Sequence, residues 1–245
     1  MLPLRDHLPT RSVPFVNYAL IAANVLVYGF ESLLVSGGVS AEAFSHQFGL
    51  VPVEFLADPI ANASSLFTHM FVHGGFAHVA GNMLYLWIFG DNVEDALGHL
   101  RYAIFYFACG LAAAFAQVAF SVSSAVPMIG ASGAIAGVLA AYAVYYPRSP
   151  ITVLNPIFLL WFFWGPFLSL PAWFVIAAFF GVNLWSAFQA ANGAGQGGVA
   201  FMAHVGGFLA GLVLQRALRK EPAPGYDQWN RFVDRRDRRL ERGER

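Results

Sequence analysis

Apolar residues fall into six long blocks, at about 14–35, 77–97, 102–121, 131–147, 168–190 and 200–218. Each is close to the roughly 20 residues a helix needs to cross a bilayer. The second block is the weakest, because its apolar run ends at Gly90 and Asp91, Glu94 and Asp95 follow. A further apolar stretch, 151–166, is only about 16 residues long and is broken by Pro156 and Pro166. That length and those prolines predict an interfacial or re-entrant hairpin rather than a span. The pattern therefore predicts an all-α, polytopic bundle of six spans in one membrane domain over 14–218. A short N-terminal segment, 1–13, precedes it and a charged tail, 219–245, follows.

Composition strengthens this picture. Of 245 residues 58% are hydrophobic and only 11% charged, less than half the charge of an ordinary soluble domain, which is about 25%. Fourteen basic residues balance fourteen acidic ones, so nothing in the net charge points to nucleic acid as a partner. The single cysteine, Cys109, excludes an intrachain disulfide and reads as a small buried hydrophobe. No signal peptide is expected, since the first apolar block is too long for one and no small-residue cleavage site follows it.

The basic residues also choose between six spans and seven. Arg5 and Arg11 precede span one, Arg101 separates spans two and three, Arg148 follows span four, and the other ten lie from Arg216 to Arg245. Loops 36–76, 122–130 and 191–199 contain none. With six spans all fourteen fall on one side, as the positive-inside bias requires. The expectation is a multi-pass protein of a bacterial plasma (inner) membrane with both termini cytoplasmic. The tail alternates Arg and Asp and reads as a solvated end rather than a lipid-binding one.

Polar groups inside spans are costly and therefore informative. His69, His73, His78 and Asn82 lie on the approach to span two and in its first turns. Span four opens on Gly130-Ala-Ser132-Gly133, and span six on Ala203-His204-Val205. Spans two, four and six all start at the non-cytoplasmic face, so these groups share one layer. Ser132 should lie roughly 24 Å above Arg148, and His204 roughly 18 Å above Arg216. Histidine is the usual base for a serine nucleophile. A Gly-x-Ser-Gly turn at a helix start offers free N–H groups to a developing oxyanion. Asn82 follows His78 by four residues and shares its helix face, so both can donate there. With no Asp in these segments to orient His204, the arrangement is a Ser-His dyad.

Simpler readings stand beside this one. Serine next to glycine is often a packing residue, and Gly133, Ala136, Gly137, Gly207 and Gly211 read first as close helix contacts. Gly207 and Gly211 are expected to meet a stripe of Gly133, Ala136 and Ala140. His204 alone could simply bond a carbonyl. His69, His73 and His78 have spacings that could ligate a metal, but there is no HExxH motif and the outer halves of the spans are expected to hold no acidic ligand. No metal and no cofactor are expected. The aromatics Trp161, Phe162, Phe163, Trp164, Phe167 and Trp173 read as an interfacial belt.

The same strings resemble the rhomboid family of intramembrane serine proteases. They are F-G-L-V-P in the first outer loop, H-G-G-F-A-H-V-A-G-N-M and F-G-D-N-V-E-D-A-L-G around span two, G-A-S-G-A-I-A-G in span four and A-H-V-G-G-F-L-A-G in span six. The resemblance covers about residues 15–218. It implies a six-helix rhomboid-like bundle with Ser132 as nucleophile, His204 as general base, and His78, Asn82, the Ser132 N–H and Gly130 forming the oxyanion region. The substrates implied are transmembrane proteins, hydrolysed in or near their membrane segments within the lipid bilayer. The alternative is a catalytically silent rhomboid-like protein that binds membrane proteins. Three positions depart from the family pattern: Ser64 and Ser65 stand where some members carry a Trp-Arg pair, and Ala136 stands where many carry an aromatic.

Overall fold

The computed structural model describes residues 2–155, 157, 161–191 and 201–219. It is mostly helical. The helices are α1 (Phe15–Ser36), α2 (Ala41–Phe48), α3 (Pro52–Ala57), α4 (Ser65–Thr68), α5 (Phe76–Tyr85), α6 (Asp91–Leu97), α7 (His99–Phe120), α8 (Ser132–Tyr145), α9 (Trp161–Trp164), α10 (Ala172–Ala191) and α11 (Phe201–Leu218). A helix therefore occupies each of the six apolar blocks. Of these, α1, α7 and α11 are long and apolar enough to cross a membrane by length and composition. Residues 192–200, where a loop is expected, and the charged tail from 220 onward lie outside the described residues.

Burial is inverted relative to a soluble protein. Asn17, Asn24, Glu31, His69, His73, Asn82, His204 and Gln215 are buried, while Leu26 and Leu33 of α1, Leu100 and Phe120 of α7 and Val213 of α11 are exposed. Apolar faces directed outward and polar groups directed inward are what a lipid solvent selects. This is a multi-pass integral membrane protein.

The centre is the packing of α7, α8 and α11, which touch one another more extensively than any other helices. Glycine makes it possible. A methyl group on Gly207 would fall on the Gly133 carbonyl oxygen, and one on Gly211 within 2.6 Å of Gly137 Cα. One on Gly137 would meet the buried thiol of Cys109. The partners of Gly207 and Gly211 are thus Gly133 and Gly137, not the expected Gly133, Ala136, Ala140 stripe. The chosen face was right at its first position and one residue off at its second.

Span two is interrupted by a π turn, Leu86–Gly90, between α5 and α6. Asn17 explains it: its amide donates to the Leu86 carbonyl at 3.0 Å and accepts from the Tyr102 hydroxyl at 2.9 Å. A Cβ at Gly90 would collide with that same amide. The acids that weaken span two in the sequence have a structural task. Glu94 accepts the N–H groups of Val16 and Asn17, at 3.1 and 2.7 Å, capping the start of α1. Asp95 holds Arg11 at 2.9 Å and the Ser12 hydroxyl at 2.9 Å.

The hydropathy pattern predicts no strand, but there are three among the described residues. β1 (Leu2–Asp6), β2 (Pro150–Leu154) and β3 (Phe167–Pro171) form an antiparallel sheet in that order. Within the stretch expected to form an interfacial or re-entrant hairpin, 151–166, lie most of β2 and all of α9; the arm that pairs with β2 is β3, which opens the fifth apolar block before α10 starts at Ala172. Periodicity cannot distinguish a short buried strand from a short buried helix. The sheet sits at the end of the bundle where α1 and α7 begin and α8 finishes. Asp6 of β1 reaches across to the Tyr142 hydroxyl at 3.1 Å and the Asn92 amide at 3.0 Å.

The surroundings of Asp6 predict a pH-sensitive sheet. Burial, then the nearby charge of Asp91, push its carboxyl from 3.8 up to about 7; the bond from Tyr142 and the charge of Arg5 oppose this. A carboxyl with a raised folded-state value holds its proton more tightly folded than unfolded. Its contribution is fully present below about 4 and is lost as pH rises to about 7. The expected result is a melting temperature that falls between pH 5 and pH 8, with Asp6→Asn flattening that slope and raising stability at pH 8. Thermal unfolding in detergent across pH checks it; equal slopes in both proteins would exclude Asp6 as the cause.

Candidate active site

The site lies at the opposite end of the bundle from the sheet. Ser132 is the first residue of α8, and His204 lies in the first turn of α11. The α7–α8–α11 contact brings them together: His204 Nε2 lies 2.7 Å from Ser132 Oγ. His204 is buried, and its Nδ1 has no hydrogen-bond partner among the described residues. A hydroxyl donating to Nε2 leaves the imidazole proton on Nδ1. The Ser132 N–H opens a helix and has no partner within it.

Gly130 precedes this turn with φ +110, a left-handed conformation that side chains disfavour. A Cβ there would stand 2.7 Å from His78 Nε2 and 3.5 Å from Asn82 Nδ2. Both groups therefore face the backbone just before Ser132, on the same helix, α5. The Gly130 N–H is committed to the His69 carbonyl at 2.8 Å. What Gly130 contributes is room and a turn, not a free donor.

The other two histidines are held locally. His69 Nδ1 bonds the Ser65 carbonyl at 2.8 Å, and His73 bonds the Phe71 carbonyl through Nδ1 at 3.1 Å and Asn82 through Nε2 at 2.9 Å. Among the described residues no three His, Cys, Asp or Glu side chains converge as a metal-ligand set. Ser65, at one of the departing positions, is buried and supplies the carbonyl that holds His69.

Two neighbours were not anticipated. Glu31, near the far end of α1, is buried and takes the His73 N–H at 3.5 Å. It corrects the expectation that no acid stands in the outer half of a span. A single acid one turn from the end of an apolar block is easily counted as part of the following loop. Phe179 of α10 lies 6.1 Å from the His204 ring, between centroids, and 4.9 Å from Tyr85. An aromatic thus adjoins His204, but from α10 rather than from position 136, and spacing along α8 cannot reveal it.

The first outer loop closes over this end. Leu50 and Met128 exchange both backbone hydrogen bonds, at 3.0 and 2.8 Å, fastening F-G-L-V-P to the segment that leads into Ser132. Beside it a cavity of about 1090 Å³ opens between α1, α2 and the 125–129 loop, lined by Glu31, His73, Gly74, Gly75 and Ile129 among others. It meets the histidine side of the site, and Ser132 and His204 are not in its lining.

A family model described as the rhomboid domain matches residues 61–221, which contain all of these groups except Glu31 and the F-G-L-V-P stretch with its part of the first outer loop. The chain belongs to the rhomboid family. It is 27% identical over 218 residues to rhomboid protein 1, mitochondrial, of Saccharomyces cerevisiae, covering 83% of this chain and 54% of that protein. It is 34% identical over 128 residues to rhomboid protease GluP of Bacillus subtilis, covering 52% of this chain and 24% of that one. A third relative, RHOMBOID-like protein 6, mitochondrial, of Arabidopsis thaliana, is 27% identical over 169 residues, with 67% and 46% covered. This rhomboid chain spans about half the length of the yeast relative and a quarter of the Bacillus one.

Proposed function

We propose that this rhomboid protein is an intramembrane serine endopeptidase that hydrolyses a peptide bond in or near the transmembrane segment of another membrane protein. The observation that carries the reading is the 2.7 Å contact between His204 Nε2 and Ser132 Oγ, made by residues 72 apart in sequence. Ser132 Oγ attacks the substrate carbonyl carbon while His204 Nε2 takes its proton. The oxyanion forms against the Ser132 N–H and the side chains of His78 and Asn82. The C–N bond then breaks as His204 returns the proton to the leaving amine, giving an acyl-enzyme and a free amino terminus. Water, deprotonated by His204, attacks the ester carbon; the bond from that carbon to Ser132 Oγ breaks as His204 returns the proton to Oγ, and the second product leaves as a carboxylic acid. No cofactor takes part.

A substrate helix must unwind locally before its carbonyl can react, because helical carbonyls are bonded and shielded. Helix-breaking residues near the scissile bond lower that cost. The reading keeps all six apolar blocks as spans with both termini on the side that carries the basic residues. Every described Lys and Arg, from Arg5 and Arg11 through Arg101, Arg148, Arg216 and Arg219, lies near the sheet end of the bundle. On the positive-inside bias that end faces the cytoplasm, or the matrix if the membrane is mitochondrial. Named relatives are both bacterial and mitochondrial.

The test is labelling by a fluorophosphonate probe in lipid vesicles. The native chain is expected to be labelled, and Ser132→Ala to lose all label while melting at a similar temperature. A native chain that binds membrane proteins but never labels or cleaves would favour the silent binder instead.

A further inference from the structure

The His73–Asn82 bond has a direction, and that direction matters to the site. Phe71 presents a carbonyl oxygen to His73 Nδ1, and a carbonyl can only accept, so Nδ1 carries the proton. In the neutral ring Nε2 is then a pure acceptor. Its partner at 2.9 Å must be a donor, and Asn82 can supply one only through its NH₂ group. Turning the amide by half a rotation would set Oδ1 against the Nε2 lone pair, in a place where His73 has no exposure at all. Buried and without compensation, that arrangement costs more than an ordinary lost hydrogen bond.

An amide has two N–H groups. One is spent on His73; the other is on the same nitrogen, which faces the position a Gly130 side chain would take. Without His73, either amide face could point there, and the oxygen would repel a developing negative charge. The ring itself is held from two sides. Beyond the Phe71 and Asn82 bonds it packs T-shaped against the His78 ring, with centroids 5.0 Å apart, and the His73 backbone N–H donates to a Glu31 carboxyl oxygen at 3.5 Å.

We propose that His73 is a positioning residue of the oxyanion site: its ring is a one-way acceptor that keeps the NH₂ face of Asn82 toward the reacting carbonyl. The inference rests on the protease reading above and assigns His73 no contact with substrate. Because the orientation matters only when charge develops, losing it should lower kcat and leave KM nearly alone.

The experiment is a double-mutant cycle on cleavage of a model transmembrane substrate in vesicles, with fluorophosphonate labelling in parallel. His73→Leu is expected to lower kcat by about 10-fold to 100-fold with KM changed by less than about 3-fold. In an Asn82→Ala background the same change should cost less than about 2-fold, since the group it positions is gone. His73→Gln, whose side-chain oxygen can accept in place of Nε2, should keep kcat within about 5-fold of native. It also supplies the test alone should leucine not be tolerated: a loss of about 10-fold or more in His73→Gln overturns the assignment. Equal losses from His73→Leu in both backgrounds, or a raised KM with native kcat, overturn it as well. A native chain that neither labels nor cleaves overturns the protease reading and this inference with it, whereas additive losses in a labelled, cleaving protein overturn His73 alone.

Discussion

His204→Ala is expected to abolish cleavage, by roughly 10⁴-fold or more in kcat, and fluorophosphonate labelling with it. A serine hydroxyl is a weak nucleophile until a base takes its proton, and among the described residues the base bonded to Ser132 Oγ is His204 Nε2, at 2.7 Å. No carboxylate contacts His204 Nδ1 among the described residues, so the ring is placed by Ser132, by its burial beside Phe179 and by the backbone of α11. The loss should be chemical rather than structural. The contacts that seat α11 are made by Gly206, Gly207 and Gly211, which the substitution leaves intact. Substrate association should therefore persist, and a pull-down with the model substrate alongside kinetics separates the two effects. A His204→Ala protein that cleaves within tenfold of the native rate would mean that another group serves as base.

Much of this site could be read along the chain because lipid punishes polar groups without a task. In an apolar block each polar residue is conspicuous, and the topology expected from the basic residues puts Ser132, His204, His78 and Asn82 at one depth. The helix blocks were legible for the same reason: length and hydropathy are set by the bilayer, not by the partners a helix later finds. What stayed hidden depends on contacts between distant segments. Asp91, Glu94 and Asp95 looked like a flaw in span two until Glu94 was found on the first N–H groups of α1 and Asp95 on Arg11. The π turn at Leu86–Gly90 is caused by Asn17, 69 residues from the carbonyl it takes. β1 is invisible locally, since five residues pair with a strand almost 150 positions away. Phe179 adjoins His204 only through the packing of α10, and the pairing of Gly211 with Gly137 depends on a crossing geometry that small-residue spacing narrows without choosing.

Gly211→Leu is expected to remove activity by about 100-fold or more while leaving a folded bundle. In lipid no hydrophobic force presses helices together, so α11 stays against α8 by close backbone approach. At Gly211 even one methyl group would stand 2.6 Å from Gly137 Cα, where ordinary contact begins at 3.4 Å, so the helices must part by about 0.8 Å. The obstacle is backbone, and no rotamer change relieves it. Leucine needs more room still. Helix α11 itself should survive, because leucine is the better helix former by roughly 1 kcal/mol or slightly less. What fails is the distance seven residues away: His204 rides on the same helix, and its 2.7 Å bond to Ser132 cannot absorb a displacement of that size. A misplacement of about 1 Å can cost roughly 100-fold in rate. Gly211→Ala should fall between, with a partial loss of kcat that scales with the smaller separation. Cleavage rate measured beside melting temperature decides it. Normal cleavage by Gly211→Leu would show that the dyad tolerates a wider α8–α11 crossing, and that its geometry is set by the turn at Gly130 and the loops rather than by the glycines.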